Sequence, residues 1–357
     1  MTVTLKPLSD QVMVITGASS GIGLATARRA AAAGAAVVLA ARNSEALDEA
    51  VVAIRNKGGR ATSLALDVAD EGSAERLADH AIAQFGRIDC WVNDAAAAMY
   101  ARLEQISLEE HRRVFDVGYF GLVQGSLVAI RHLRAGGGGA LINLGSVLSN
   151  RAIPLQGPYC AMKAAVMQFT DALRMELEEE GAPISVTLIK PAAIDTPYPE
   201  HARNKLDRPA RLPQPIYDVK LVAKAICFAA EHRRRTLIVG GGGVALVLAP
   251  AIPRLADKGM ELIGDEAMQT TDIAPAPGTT DNLFEHRADG RTESNQFPYT
   301  RQTSLYLEAQ MHPLATAAIL GGVAAAAGAF FFARRGPGDV GTRDAQRRIA
   351  AAGMFAE

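Results

Sequence analysis

The sequence predicts an α/β fold: a doubly wound parallel sheet of seven strands, followed by a C-terminal extension. Three observations carry this. Short apolar runs alternate with alanine-rich amphipathic stretches through about residue 250. The runs are apolar throughout, as strands covered on both faces require. A glycine-rich turn joins the first run to the first helical stretch.

The strands are expected at QVMVITG (11–17), AAVVLAA (35–41), TSLALDV (62–68), IDCWVND (88–94), GALINLG (139–145), ISVTLIK (184–190) and TLIVGG (236–241). Helices are expected at Gly21–Ala33, Ser44–Lys57, Glu71–Phe85, Leu108–Arg134 and Tyr159–Glu180. This alternation implies right-handed crossovers and helices on both sides of the sheet. Three regions follow: the α/β domain over 1–262, a polar linker over 263–311, and an apolar helix with a basic tail over 312–357.

The turn TGASSGIG places Gly17, Gly21 and Gly23 between the first strand and the first helix. Glycine allows a tight turn and lets a phosphate approach the backbone. The helix N-terminus offers N–H groups and a positive dipole end to a pyrophosphate. Thr16, Ser19 and Ser20 add hydroxyls, and Ile22 lies within the turn. The second strand ends in Ala41 and Arg42, where a site for the unphosphorylated cofactor usually carries an acid. A guanidinium pairs with a 2′-phosphate, so NADP(H) is favoured over NAD(H).

With TGASSGIG, Asp67-Val68, VNDAA, Ser146 and YCAMK in this order, residues 8–250 resemble the short-chain dehydrogenase/reductase family. The resemblance implies a Rossmann fold and hydride transfer between NAD(P)(H) and an alcohol or carbonyl. It implies that Gly17, Gly21 and Gly23 cradle the pyrophosphate, and that Asp67 and Val68 contact the adenine. It also implies that the segment from Asn93 lines the cofactor, and that Pro191, Ile194 and Thr196 hold the carboxamide. Ser146 would hold the substrate oxygen, Tyr159 would be the acid/base, and Lys163 would bind the nicotinamide ribose.

Elementary chemistry supports those catalytic roles. An isolated tyrosine titrates near pH ~10 and is a poor base. A nearby ammonium favours the phenolate, and a spacing of four puts Tyr159 and Lys163 on one helix face. Ser146, at the end of the fifth strand, can donate to a developing oxyanion. Three positions depart from the family pattern. Gly118 stands where an asparagine usually supports a water chain to the lysine, which puts that relay in doubt. Asn93-Asp94-Ala95-Ala96 replaces Asn-Asn-Ala-Gly, and Ala192 replaces a glycine after Pro191.

The substrate side is less explicit. Residues 195–218 are rich in proline and charge and occupy the place of a lid. Tyr198 and His201 could line a pocket, but read better as members of a solvated loop. Ile153, Leu155 and Gln156 point to a partly apolar pocket, and Leu246–Leu262 to an amphipathic helix at its mouth. An apolar or lipid-like substrate is expected. Residues 313–333 carry no charge and are long enough to span a bilayer as a helix. They are a candidate membrane anchor, a helix packed on protein, or an interfacial or disordered segment.

A net charge of −1 excludes a general attraction to nucleic acid. Cys90, Cys160 and Cys227 form no metal-ligand or disulfide spacing, so no metal is expected. The N-terminal residues have no secretory apolar core, and a cytoplasmic enzyme, associated with a membrane if 313–333 anchors it, is the reading. The resemblance adds a homo-oligomer, dimer or tetramer, through the long helices. The rival function is a dinucleotide-binding scaffold with vestigial catalysis, which Gly118 favours.

Overall fold

The computed structural model describes residues 4–267, 280–287, 290–319 and 321–322. Its first half runs β1 (Val12–Thr16), α1 (Gly21–Ala32), β2 (Ala36–Ala41), α2 (Ser44–Arg55), β3 (Arg60–Ala65), α3 (Ser73–Phe85), β4 (Cys90–Asn93), β5 (Met99–Tyr100), α4 (Leu108–Phe115), α5 (Gly121–Ala135) and β6 (Gly139–Leu144). It continues with α6 (Gly157–Glu179), β7 (Ile184–Pro191), α7 (Tyr198–His201), β8 (Arg203–Asn204), α8 (Val219–Glu231), β9 (Thr236–Val239), α9 (Val244–Leu248), α10 (Pro253–Ala267) and α11 (Leu305–Met311).

All seven expected strands enter one sheet, ordered β3-β2-β1-β4-β6-β7-β9, with every pair parallel. Val14, Ile15, Trp91, Val92, Leu141 and Ile142 are fully buried in it. Their unbroken apolar character is what a sheet covered by helices on both faces demands. Strand order reverses between β1 and β4, which opens a crevice beyond their C-terminal ends. The cysteines are free and buried.

Local chemistry starts and bends the helices. Asn43 Oδ1 accepts the Ala46 amide at 3.0 Å and caps α2. Ser107 and Glu110 form a reciprocal capping box at the start of α4. The helix expected over 108–134 is interrupted by a π-helical turn at Asp116–Phe120, centred on Gly118. β5 and β8 form a separate two-stranded parallel pair that was not foreseen. Two residues per strand leave no periodicity to read.

The chain divides into two units, Met1–Glu308 and Ala309–Glu357. The stretch read as a polar linker, where described up to Glu308, therefore belongs with the catalytic body. It is irregular, yet Leu283 is fully buried in the same apolar cluster as Val117 and Leu122. In the second unit, 313–319 is helical and most of 313–333 lies outside the described residues. Among the described residues no helix is long and apolar enough to cross a membrane.

Candidate active site

A cavity of about 500 Å³ opens beyond the C-terminal ends of the central strands. It brings together Gly17, Ser19, Ser20, Gly21 and Ile22 from the first turn, Arg42 after β2, and Val68 after β3. Ser146, Tyr159 and Lys163 line it, as do Pro191, Ile194 and Thr196. Residues far apart in sequence thus meet because parallel strands deliver all their C-terminal loops to one edge.

Four expected cofactor residues do not line the cavity. The Asn93 side chain instead joins a buried network: it accepts from Trp91 Nε1 at 2.8 Å and donates to Asn143 Oδ1 at 2.9 Å and Ser126 Oγ at 3.1 Å. Its work is to tie β4 to β6 and α5. Asp67 accepts the Ala69 amide and forms an ion pair with Arg113, with Arg42 3.9 Å away, so its carboxylate is already committed. Thr16 Oγ1 accepts the amides of Asp94 at 3.1 Å and Ala95 at 3.2 Å, fixing the segment after β4. A Cβ on Gly23 would lie 2.4 Å from the Gly17 carbonyl oxygen. Gly23 is thus required by the turn's own packing.

Gly17 has the same internal reason, since its Cβ would meet the Ala95 amide nitrogen at 2.9 Å. Gly21 differs. Its φ is +52°, and only the Thr196 side chain lies near a built Cβ, at 3.5 Å. Here the open space belongs to the cavity, and with the first turn of α1 it fits a pyrophosphate.

In the catalytic trio, Ser146 closes the loop after β6 and its Oγ accepts the Leu148 amide at 3.1 Å. Tyr159 and Lys163 stand on one face of α6, with Nζ 5.8 Å from the phenol ring centre. Lys163 is buried and donates to the Leu144 carbonyl at 2.6 Å. Burial raises the Tyr159 phenol above its ordinary value, and a hydrogen bond with Ser146 pulls the other way. The expected acidification by Lys163 is therefore not seen in this site. Desolvation is the largest influence on the phenol, which is held as an acid.

Three features were missed in the sequence. Asp94 lines the cavity, and burial raises its carboxyl while Lys163 opposes the rise. Burial in turn lowers Lys163, and Asp94 opposes the fall. Tyr198, read as solvated, packs edge-on against Tyr159 with ring centres 5.4 Å apart. Its hydroxyl donates to Gln156 Oε1 at 3.2 Å. His201 also lines the cavity. Finally, Asn282, His286 and Arg287 enter from the stretch beyond α10, which no motif had marked.

Around Tyr159 and Tyr198 the wall is apolar: Ala98, Leu148, Ile153, Ala202, Leu246 and Met260 line it. Leu155 is buried behind this wall, with a φ of 65°. α9 and α10 fill the stretch expected as an amphipathic helix at the mouth.

Comparison with known proteins agrees with this geometry. The profile of the short chain dehydrogenase family matches residues 11–207. The uncharacterized oxidoreductase YxnA of Bacillus subtilis (strain 168) is 42% identical over 328 residues, covering 91% of this chain and 92% of its own. The cis-4-hydroxycyclohexanecarboxylate dehydrogenase of Sinomonas cyclohexanicum is 35% identical over 63% of this chain and 91% of its own. The alcohol dehydrogenase of the archaeon Thermococcus sibiricus, solved with 5-hydroxy-NADP, superposes with a TM-score of 0.56. It is 26% identical over 64% of this chain and 95% of its own. With its sheet order, glycine turn and serine–tyrosine–lysine trio in one crevice, the chain belongs to the short chain dehydrogenase family and is an NAD(P)-dependent oxidoreductase.

Proposed function

We propose that this enzyme uses NADP(H) to interconvert an alcohol and a carbonyl on an apolar substrate, with Tyr159 as acid/base. The observation that carries the reading is the common cavity of Ser146, Tyr159 and Lys163 with the first turn of α1. When bound, the nicotinamide supplies or accepts the hydride.

The chain's own residues do the rest. Burial keeps the Tyr159 proton on the phenol, ready for the substrate oxygen. The Ser146 hydroxyl is placed to share the charge that develops on that oxygen. Lys163, fixed by the Leu144 carbonyl, would hold the nicotinamide ribose. The apolar wall excludes water and fits a hydrocarbon ring or chain better than a charged one, because burying a charge there without a partner is costly. Arg42, with no carboxylate at the end of β2, supports the phosphorylated cofactor. Phe120, Leu127 and Met175 leave exposed apolar surface beside and along α5 and α6, which supports a dimer or tetramer through these helices.

The test is consumption of NADPH and NADH against aliphatic and cyclic ketones and aldehydes, with Tyr159→Phe as control and Arg42→Asp as the cofactor variant. Turnover with NADPH that is lost in Tyr159→Phe and moves towards NADH in Arg42→Asp is the expected result. A second reading, a dinucleotide-binding scaffold, is favoured by Met162 filling the space beside Gly118. Saturable NADPH binding without turnover over the whole panel would select it.

A further inference from the structure

The stretch beyond α10 crosses the cofactor half of the cavity and is fastened on both sides. On the β2–β3 side, Arg42 Nη1 donates to the Phe284 carbonyl at 2.8 Å, and Nη2 donates to the Asn282 carbonyl. Asn43 Nδ2 donates to the Arg287 carbonyl at 2.9 Å, while its Oδ1 caps α2. Arg113 Nε donates to the Leu283 carbonyl at 2.8 Å, beside the fully buried Leu283 side chain. On the β7 side, Arg291 pairs with Glu200 at 2.6 Å and Arg287 donates to the Glu200 carbonyl. Asp195 Oδ1 accepts the Ser294 hydroxyl at 2.7 Å and its amide at 3.0 Å. Between the two sides, the Arg291 carbonyl accepts the Gly21 amide at 2.9 Å, at the first turn of α1.

We propose that residues 280–287 and 290–296 are a clasp over the dinucleotide crevice, which must release its β7-side contacts for the cofactor to exchange. The proposal rests on the dinucleotide reading above. A segment tied to both walls of a crevice cannot be passed without breaking one set of ties. The β2–β3 side is held by a buried leucine, whereas the β7-side contacts are polar: they reach buried Glu200 and Asp195 from an Arg291 side chain that is 39% exposed and from Ser294. The β7 side is therefore the one that opens. The Gly21 amide, released from the Arg291 carbonyl, would then be free to donate to an anionic phosphate, the stronger acceptor. His286 and Arg287 face the same cavity, so the clasp carries basic groups towards a pyrophosphate. Arg42 has two roles in this arrangement: cavity wall and anchor of the clasp.

The test follows NADPH fluorescence by stopped flow on the full chain, its Arg291→Ala variant and its Leu283→Ala variant. Arg291→Ala removes the Glu200 ion pair at a partly exposed position, so it remains informative if Leu283→Ala folds poorly. Association and dissociation rate constants are both expected to rise about tenfold, the size of one charged hydrogen bond lost. In the wild-type chain, saturating NADPH should slow tryptic cleavage after Arg291. Saturable binding with unaltered rate constants in Arg291→Ala and unaltered cleavage would overturn the clasp alone. An intact chain that binds neither NADPH nor NADH would overturn the dinucleotide reading, and the clasp with it.

Discussion

The Met162 side chain occupies the place where any residue larger than glycine at 118 would have to go. A Cβ on Gly118 would lie 2.6 Å from Met162 Cε and 2.7 Å from Sδ. The position where the family pattern has an amide supporting a water chain is thus packed with a fully buried thioether. Gly118→Asn is expected to cost about 1–3 kcal/mol by overpacking and to leave turnover no higher. Gly118→Asn combined with Met162→Ala should recover much of that loss. Urea unfolding of the three proteins checks both statements, and a single variant as stable as wild type would show that Met162 yields freely.

Tyr159→Phe keeps the ring that packs on Tyr198 and removes only the proton donor. Its kcat should fall roughly a hundred- to ten-thousand-fold, the range for a lost general acid. The NADPH dissociation constant should stay within about twofold, because the ring remains in place. A comparable fall in affinity would mean that the phenol serves binding rather than proton transfer.

Asp94 and Lys163 oppose each other's burial-driven shifts. An ionised Asp94 favours the Lys163 ammonium, and it also raises the Tyr159 phenol. Removing that charge in Asp94→Asn lowers both groups. The alkaline limb of the kcat/KM profile for carbonyl reduction should therefore move to lower pH. An unmoved limb would show that the Asp94 charge does not reach the reacting groups.

Glu110 ties the start of α4 to β8. It accepts from Lys205 at 2.7 Å, Arg203 at 3.1 Å and the Ser107 amide at 2.8 Å. Burial opposes its charge, yet these donors hold its carboxyl at about 2. The folded value lies below the unfolded one of about 4.3, so the stabilisation is complete above that value. It is lost as pH falls through about 2. Denaturant midpoints measured down this window should fall more steeply for wild type than for Glu110→Gln. Parallel curves would remove Glu110 from the acid response.

Much of this was legible in the residues. Continuous apolar runs marked all seven sheet strands, and the spacing of Ser146, Tyr159 and Lys163 marked one helix face opposite one strand end. Pairings settled by tertiary packing were not legible, such as Met99–Tyr100 with Arg203–Asn204. Tyr198 was hidden in a stretch whose prolines and charges suggest solvent, although its ring shields Tyr159. The rise that burial imposes on the phenol depends on how dry the site is, which spacing alone does not report. Nor does sequence mark a segment held by its backbone. Asn282, Leu283, Phe284 and Arg287 are gripped through their carbonyls, whatever side chains they carry.

Leu283 is buried in the same apolar cluster as Val117 and Leu122, yet it lies well beyond β9, the last strand of the sheet. During synthesis the nascent protein can assemble its sheet early and still wait for that plug to emerge from the ribosome. Until then that cluster lacks one of its buried members, and a fragment cut after α10 would carry that gap permanently. The apolar core thus draws on a residue past the region that carries the family's signature motifs.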